Sequence, residues 1–336
     1  MPRKTFQPPR GFVRRRVQPA GRCPVTFGLD LPLALGKKWP VRTCVIFNPT
    51  AKGDKARRFR QHLDELARSS LLKLTRGPGD ARPLAAEAVR EGFEVVVAAG
   101  GDGTVNEVVN GIADCPDGLL RARLGVLPLG TVNVFARELG IPQQFGPAWE
   151  VIRRGRKTSI DLPRVEFGKD AGATCRRFVQ MAGAGLDARA IELVRWPVKK
   201  WMGPLAYVLA GLQALAEAPA RITAAAHGRS VTGGLVLLGN GRFYGGSYRV
   251  FPNADLRDGR LEVCVFPRIN WFTLLRCGPV LLGARRLPES VVTRFQSDSL
   301  ALSSPARAPF EVDGDLAGHL PARFGFEPLP LQVLVP

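Results

Sequence analysis

The sequence predicts an α/β domain with a parallel sheet, followed by an all-β domain. Between Val41 and Leu139, apolar β-branched runs alternate with segments of helical periodicity, as in a parallel α/β sheet. After about Pro163, strand candidates follow one another with turn residues between them, which is typical of a β-sandwich or barrel. The length of 336 residues accommodates two domains of typical size.

The first domain alternates four strand candidates with four helix candidates. The strand Glu94–Ala99 is nearly all apolar, as expected for a strand that is buried on both faces of a parallel sheet. Ligands of such sheets bind at the carboxyl ends of the strands. In chain order the candidates are strand Arg42–Phe47, helix Asp54–Ser69, strand Leu71–Thr75, helix Ala81–Glu91, strand Glu94–Ala99, helix Thr104–Ile112, strand Leu124–Leu127 and helix Val132–Leu139.

Two glycine loops, Gly100–Thr104 and Pro128–Asn133, follow neighbouring strand candidates and lead into helices. Their glycines let backbone N–H groups approach an anion, and a helix N-terminus adds partial positive charge. Neither loop has the Gly-Lys-Ser/Thr ending of a Walker A loop, and Asn106 stands where a Rossmann fingerprint has its third glycine. The carboxylate of Asp102 would repel a phosphate unless a cation lay between them, which favours Mg-ATP. A tight turn without a ligand is the alternative.

The second domain contains seven strand candidates and two acidic clusters. Asp255 and Asp258 can hold a hard cation together with a backbone carbonyl, although most acidic turns with Asp-Gly are only turns. Asp313 and Asp315 flank a glycine after a strand, where they can abstract a proton, bind a metal or simply close a hairpin. The strand candidates are Phe178–Ala182, Arg221–Ala226, Ser230–Leu238, Tyr248–Phe251, Leu261–Phe266, Val291–Phe295 and Pro309–Val312, and helical insertions are predicted at Asp187–Val194, Leu205–Ala216 and Asn270–Leu282.

The formal net charge of +19 indicates an anionic partner, and nucleic acid and an anionic membrane both fit that charge. No helix-turn-helix, zinc finger or aromatic-basic strand pattern is present, so no specific nucleic acid is expected. Residues 1–40 carry nine Lys and Arg against one acid, Asp30, which gives +8 and predicts a disordered basic extension. A start codon placed too early is the alternative. The six cysteines form no CxxC pair, as expected of free thiols in a reducing compartment.

These patterns resemble the diacylglycerol kinase catalytic-domain family, in particular the bacterial soluble lipid kinases related to sphingosine and ceramide kinases. The resemblance runs from about Thr43 to Val335 and rests on seven islands in the family's order. The islands are Phe47-Asn48-Pro49, Thr75 through Ala81, Gly100–Glu107, Pro128–Ala136, Asn240–Gly246, Asp255–Leu261 and Asp313-Gly314-Asp315.

The resemblance implies a three-layer α/β nucleotide-binding domain like that of phosphofructokinases over residues 41–163. It implies a β-sandwich over residues 164–336. Whether the last strand of that range returns to the first domain is left open. The active site is expected in the cleft between them. The apolar segments Trp201–Ala216 and Trp271–Leu282, the first of which is too short to span a membrane, are candidates for contact with acyl chains.

The expected activity is an ATP-dependent lipid kinase that phosphorylates a hydroxyl of diacylglycerol or of a related lipid, such as a sphingoid base, ceramide or phosphatidylglycerol. The expected location is cytoplasmic, with peripheral contact with an anionic membrane. Whether the chain forms a homodimer is left open.

The resemblance also assigns roles to residues. Asp255, Asp258 and the backbone carbonyl of Arg260 would hold a structural Mg²⁺. Asp102 would bind the Mg²⁺ of Mg-ATP. The pair Asp313 and Asp315 would supply the base; its second acid is usually Glu in the family, and the shorter Asp leaves open which of the two takes the proton. ATP would contact Asn48, Thr75, Gly100, Gly101, Asp102, Gly103, Thr104, Val105, Asn106, Gly130 and Thr131.

Two other functions stay open. One is a kinase of the same superfamily that acts on NAD or a sugar phosphate, which would share Gly-Gly-Asp-Gly; Pro128–Ala136 and Asn240–Gly246 point to lipid kinases instead. The other is a non-catalytic lipid- or nucleotide-binding protein in which Asp315 has abolished turnover. A measurement of ATP consumption with a panel of lipids separates these alternatives.

Overall fold

The computed structural model describes residues 41–49, 60–168, 173–193, 220–268 and 287–336. The predicted extension 1–40 lies outside the described residues. So do the helix candidates Leu205–Ala216 and Asn270–Leu282, the apolar segments Trp201–Ala216 and Trp271–Leu282, and the first part of the helix candidate Asp54–Ser69.

The first sheet is a six-stranded sheet with the order β2-β1-β3-β4-β18-β5. Strands β1 to β4 run parallel, and their carboxyl ends are level, because Phe47 pairs with Leu74 and Ala99 while Gly100 pairs with Pro128. The strands are β1 (Thr43–Phe47), β2 (Leu71–Leu74), β3 (Val95–Gly100), β4 (Arg123–Pro128), β5 (Arg156–Ile160) and β18 (Leu331–Val335).

The helices of this lobe follow the predicted pattern of strand–helix alternation. Every residue of β3 is buried, and the apolar side chains of the helices pack with the strands into one core. A short 3₁₀ turn, Arg60–His62, precedes the first described helix. The helices are α1 (Leu63–Ser69), α2 (Ala81–Arg90), α3 (Asp102–Ala113), α4 (Gly118–Arg121), α5 (Val134–Glu138) and α6 (Phe145–Arg154).

The second lobe consists of two six-stranded antiparallel sheets, with the orders β10-β9-β14-β17-β6-β7 and β13-β12-β11-β8-β15-β16. Buried side chains from both sheets, including Ile222, Phe324, Val236 and Phe310, form one shared core. The elements are β6 (Pro163–Phe167), β7 (Thr174–Arg177), β8 (Met181–Gly185), α7 (Leu186–Leu193), β9 (Ile222–Ala226), β10 (Arg229–Gly233), β11 (Leu235–Gly239), β12 (Leu261–Phe266), β13 (Thr293–Ser297), β14 (Leu300–Ser303), β15 (Pro309–Val312), β16 (Asp315–His319) and β17 (Ala322–Phe326).

The fold class is confirmed: an α/β lobe precedes a β-rich lobe. Two strand predictions of the second lobe were wrong. The single strand Ser230–Leu238 is two strands, β10 and β11, with Gly234 between them; a Cβ on Gly233, the last residue of β10, would lie only 2.5 Å from Phe266 O. Tyr248–Phe251 is not a strand, since its ladder pairing is limited to one isolated bridge between Tyr244 and Tyr248.

Strand β18 returns to the first sheet, where it pairs in parallel with β4 and antiparallel with β5.

Within the part of the chain that the structure describes, no helix is long and apolar enough to cross a membrane.

Candidate active site

The carboxyl ends of β1 to β4 bring four predicted nucleotide-binding segments to one edge of the first sheet. Asn48 follows β1, Thr75 follows β2, and the two glycine loops follow β3 and β4. Asn48 Nδ2 donates a hydrogen bond to Thr104 Oγ1 at 3.4 Å, and Asn48 N donates to Ala99 O at 3.1 Å. The four segments therefore share one surface although 82 positions separate Asn48 from Gly130.

The two glycine loops touch each other through their backbones. A Cβ on Gly130 would lie 2.6 Å from Gly101 Cα and 2.7 Å from Asn133 Oδ1, both closer than real Cβ atoms approach. Asn133, with φ of 53°, donates through Nδ2 to Gly130 O and accepts from Gly130 N. Glycine at position 130 is thus required by packing. The N–H groups in the first turn of α3 lack partners within the helix and are suited to an anion.

Asp102 joins the second loop to the first. Its two carboxylate oxygens accept hydrogen bonds from the N–H groups of Val134 and Phe135, each at 3.1 Å, at the start of α5. Burial raises the pKa of Asp102, and these amides act in the opposite direction. The carboxylate therefore holds the loops together, and binding of the Mg²⁺ of Mg-ATP by Asp102 stays a prediction.

Thr75 has a buried hydroxyl group whose lack of a partner indicates a ligand-binding position. Its Oγ1 has no hydrogen-bond partner within the described part of the chain, and a buried hydroxyl without a partner is costly. The turn that follows Thr75 is held by Glu107 on α3, whose two oxygens accept from Gly79 N at 2.8 Å and Ala81 N at 2.9 Å. This turn is therefore fixed relative to the first glycine loop.

Val105 and Asn106 have their side chains engaged elsewhere. Val105 packs in the core of the first lobe, and its N–H donates to Gly101 O within α3. Asn106 Nδ2 donates to Asp313 Oδ2 at 2.8 Å and to Arg177 O at 3.0 Å in the second lobe. Asn110, one turn further along α3, exchanges two hydrogen bonds with the Arg177 backbone. One face of α3 thus connects the two lobes.

Asp313 is half-buried, and its carboxylate is surrounded by hydrogen-bond donors. Its carboxylate accepts from the N–H groups of Val179, Gln180 and Met181 and from Asn106 Nδ2, at 2.8 to 3.1 Å. Burial raises the pKa of Asp313 to about 6, and the four donors act in the opposite direction because they stabilise the carboxylate. Both oxygens are committed to holding the lobes together.

Asp315 is exposed and lies beside the first turn of α3. Its Oδ2 is 3.3 Å from the position that a Cβ on Gly103 would occupy. The preceding backbone is in the left-handed region, with φ of 49° at Asp313 and 87° at Gly314. This tight turn directs the carboxylate of Asp313 to the backbone N–H groups of the second lobe and places Asp315 against the first glycine loop.

The turn from Asp255 to Arg260 brings acidic groups together. Asp258 Oδ1 accepts from Arg260 N at 2.9 Å, and Asp255 Oδ1 accepts from Arg257 N at 3.1 Å. Burial raises the pKa of Asp258, and the charges of Asp255 and Asp161 add to that shift. Two such carboxylates and a backbone carbonyl are oxygen ligands of the kind that a hard cation such as Mg²⁺ prefers. In the described ranges no group of three or more His, Cys, Asp or Glu side chains forms a metal cluster.

Sequence reasoning missed Asp161 and Glu138, because their partners are distant in the chain. Asp161 Oδ2 accepts from Gly259 N at 2.7 Å and so ties the acidic turn to the end of β5. Glu138, at the end of α5, accepts from Arg242 N, Phe243 N and Gln180 Nε2. The segment Asn240–Gly246, which the resemblance had singled out, is thereby anchored to the helix that follows the second glycine loop.

A cavity of about 530 Å³ lies beside the acidic turn and away from the glycine loops. Its arginines already have acceptors: Arg156 donates to Pro336 O, Arg242 to Glu138, and Arg257 contacts Asp255. Lys157 also lines the cavity, which lies apart from the glycine loops that the sequence predicts as the phosphate site.

Comparison with known proteins places the chain in a family. The diacylglycerol kinase catalytic domain matches residues 42–165, and the YegS C-terminal NAD kinase beta sandwich-like domain matches residues 180–335. A diacylglycerol kinase of Staphylococcus aureus strain MRSA252 is 31% identical over 300 residues, which cover 84% of this chain and 89% of that protein. One of Staphylococcus carnosus is 29% identical over 293 residues, covering 84% and 91%.

A solved structure has the same fold. The crystal structure of a diacylglycerol kinase from Bacillus anthracis superposes with a TM-score of 0.64 at 20% identity, over 88% of this chain and 97% of that one. The two domain matches and the sequence identity over most of the chain agree with it. The chain therefore belongs to the diacylglycerol kinase family of lipid kinases.

Proposed function

We propose that the chain transfers the γ-phosphate of ATP to a hydroxyl of a membrane lipid, diacylglycerol or a close relative, at the surface of an anionic membrane. The observation that carries the proposal is the position of Asp315. It is the exposed acid of its pair, and its Oδ2 lies against Gly103 in the first turn of α3. A carboxylate next to a phosphate cradle can take the proton of an attacking alcohol.

The two acids of the Asp313–Asp315 pair then have different tasks. Asp313 is saturated by four N–H donors, so it holds the turn and the lobes in place. Asp315 orients the acceptor hydroxyl and removes its proton. The shorter side chain of Asp, compared with the Glu usual in the family, is offset by the close approach of the turn to α3.

The nucleotide's phosphates would be bound by backbone N–H groups of the glycine loops, with Thr75 Oγ1 supplying a further donor. Gly130 and Gly101 keep that surface free of side chains, and Asp102 keeps the loops in contact. Mg²⁺ bound with the nucleotide offsets the negative charge that grows on the transferred group. A second Mg²⁺ would be held structurally by Asp255, Asp258 and the carbonyl of Arg260.

The test is ATP consumption with purified protein and a panel of acceptors: 1,2-diacylglycerol, a sphingoid base, ceramide, phosphatidylglycerol, NAD and a sugar phosphate. We expect turnover with a lipid and none with NAD or the sugar phosphate. Asp315→Asn should lower kcat by about 10² to 10⁴-fold, the usual contribution of a general base, with the thermal midpoint unchanged.

Asp64→Asn is the matched control, because Asp64 is exposed on α1, a helix that supplies no residue of the proposed site. Turnover with NAD and with no lipid would contradict the proposal, because the acceptor would then be NAD. An Asp315→Asn variant with wild-type kcat would remove Asp315 from the mechanism.

A further inference from the structure

A cluster of three polar side chains that the mechanism above does not use lies next to the Asp313–Asp315 turn. Glu311, on β15, is completely buried, and Asp187, in the first turn of α7, faces it. Asp187 Oδ2 and Glu311 Oε1 lie 2.7 and 2.8 Å from one point, the position that a Cβ on Gly183 would occupy. Tyr244 OH donates to Asp187 Oδ1 at 2.6 Å. Only a glycine at position 183 leaves room for the two carboxyl groups.

Glu311 has one satisfied oxygen and one that needs a proton. Its Oε2 accepts from Gly314 N at 2.7 Å. Its Oε1 is buried, and no N–H or hydroxyl group of the described residues donates to it. The neighbouring group is the carboxyl of Asp187, whose Oδ2 lies beside Glu311 Oε1 at the position that a Cβ on Gly183 would occupy. Two buried carboxyl groups in contact are stable when one proton lies between them.

The cluster connects two parts of the site. At one end, Tyr244 belongs to the segment Asn240–Gly246, and a Cβ on Gly246 would lie 3.7 Å from Val132 in the second glycine loop. At the other end, Glu311 holds the N–H of Gly314, the residue between the two acids of the pair. The chain of contacts therefore runs from the nucleotide side to the backbone that carries Asp315.

We propose that Asp187 and Glu311 share one proton and together act as positioning residues for Asp315. The shared proton lets Glu311 stay buried, and Glu311 in turn fixes Gly314 and hence the direction in which Asp315 leaves the turn. The inference rests on the proposed function, because positioning has a purpose only if Asp315 acts on a substrate.

The pair also makes the stability of the chain depend on pH. Burial, followed by the charge of Asp187, raises the pKa of Glu311 well above its ordinary value, and burial raises that of Asp187. Asp313 and Asp315 add to the shift of Glu311, and Tyr244 donates to Asp187. The folded chain thus keeps a proton that the unfolded chain releases, so stability falls as the pH rises from the ordinary carboxyl range through the raised pKa.

The first experiment compares the thermal midpoint of Glu311→Gln with that of the wild type between pH 5 and pH 9. The amide keeps an acceptor for Gly314 N and presents an NH₂ group to Asp187, which reproduces the protonated pair at every pH. We expect the variant to be the more stable protein at neutral pH, with a difference that grows as the pH rises. Glu289→Gln, at an exposed site, is the control and should show no such trend.

The second experiment measures kcat and KM. Glu311→Gln should keep kcat within about two-fold, whereas Glu311→Leu, which leaves Gly314 N without its acceptor, should lower kcat by about ten-fold or more with an unchanged KM for ATP. A folded Glu311→Leu protein with the wild-type kcat would overturn the positioning role; if Glu311→Leu does not fold, Glu311→Gln tests that role and the shared proton. Parallel pH curves for Glu311→Gln and wild type would overturn the shared proton, and a kcat for Glu311→Gln at least ten-fold lower would overturn the positioning role. If no lipid is phosphorylated, the proposed function fails, while the pH experiment still tests the pair.

Discussion

Gly130→Ala tests whether the nucleotide site depends on direct contact between the two glycine loops. The added Cβ would lie 2.6 Å from Gly101 Cα, whereas ordinary contacts begin at 3.4 Å, so the loops must separate by about 0.8 Å. The hydrogen bonds from Val134 N and Phe135 N to Asp102, now 3.1 Å, would lengthen to about 3.9 Å if the whole shift fell on them, which is beyond hydrogen-bond range.

Two consequences of that separation can be given a magnitude. Overpacking of this kind typically costs about 1 to 3 kcal/mol of stability. A shift of the phosphate-binding amides by most of an ångström should raise the KM for ATP by about ten- to hundred-fold, because misplacement on this scale is expensive in catalysis. The KM for the lipid should change much less, since the second lobe supplies Asp315.

The assay is lipid phosphorylation at varied ATP concentration, together with the thermal shift that ATP induces. Gly325→Ala is the matched control, because a Cβ at that position in β17 meets nothing within 4 Å. A Gly130→Ala protein with the wild-type KM for ATP would refute the view that contact between the loops shapes the site.

Two further predictions concern the acidic turn and the basic extension. Asp258→Asn should abolish the stabilisation by Mg²⁺, so that a chelator lowers the thermal midpoint of the wild type but not of the variant; a wild type that does not respond to chelator would contradict the structural metal. Removal of residues 2–38 should leave turnover on detergent-dispersed lipid nearly unchanged and weaken binding to anionic vesicles at low salt, because it removes a net charge of +8; equal binding of both proteins would contradict this role.

The first lobe was predictable because its signals are local. The buried strand β3, the glycines that follow it and the apolar period of the helices lie within short windows of sequence. The position of a site at the ends of parallel strands follows from topology, so the two glycine loops could be placed together, whereas Asn48 and Thr75 were assigned by the family resemblance. The return of the last strand to the first domain was an open prediction, and β18 confirms it. Strand β5 was not predicted, because it is mostly polar and exposed.

The second lobe and its part of the site were less predictable, since their contacts join residues far apart in sequence. Asn106 and Asp313 are 207 positions apart, and no local pattern indicates that one donates to the other. The different tasks of Asp313 and Asp315 follow from burial and from the left-handed turn between them, which their spacing does not reveal. Asp187 is on a helix and Glu311 is on a strand far away in the sequence. No local pattern around either carboxyl group indicates that the two lie together.

The position of β18 has a consequence for how the chain folds during synthesis. Because β18 inserts between β4 and β5, the first sheet has a gap until residues Leu331–Val335 leave the ribosome. At translation rates of about 5 to 20 residues per second, the roughly 170 residues after β5 take on the order of 10 to 30 s to synthesise. During that interval β4 exposes an unpaired edge of buried, apolar residues, which is a template for wrong pairing. The nascent first lobe is therefore expected to need chaperone protection until the second lobe is complete, and the first lobe without β18 should not fold when expressed as a fragment.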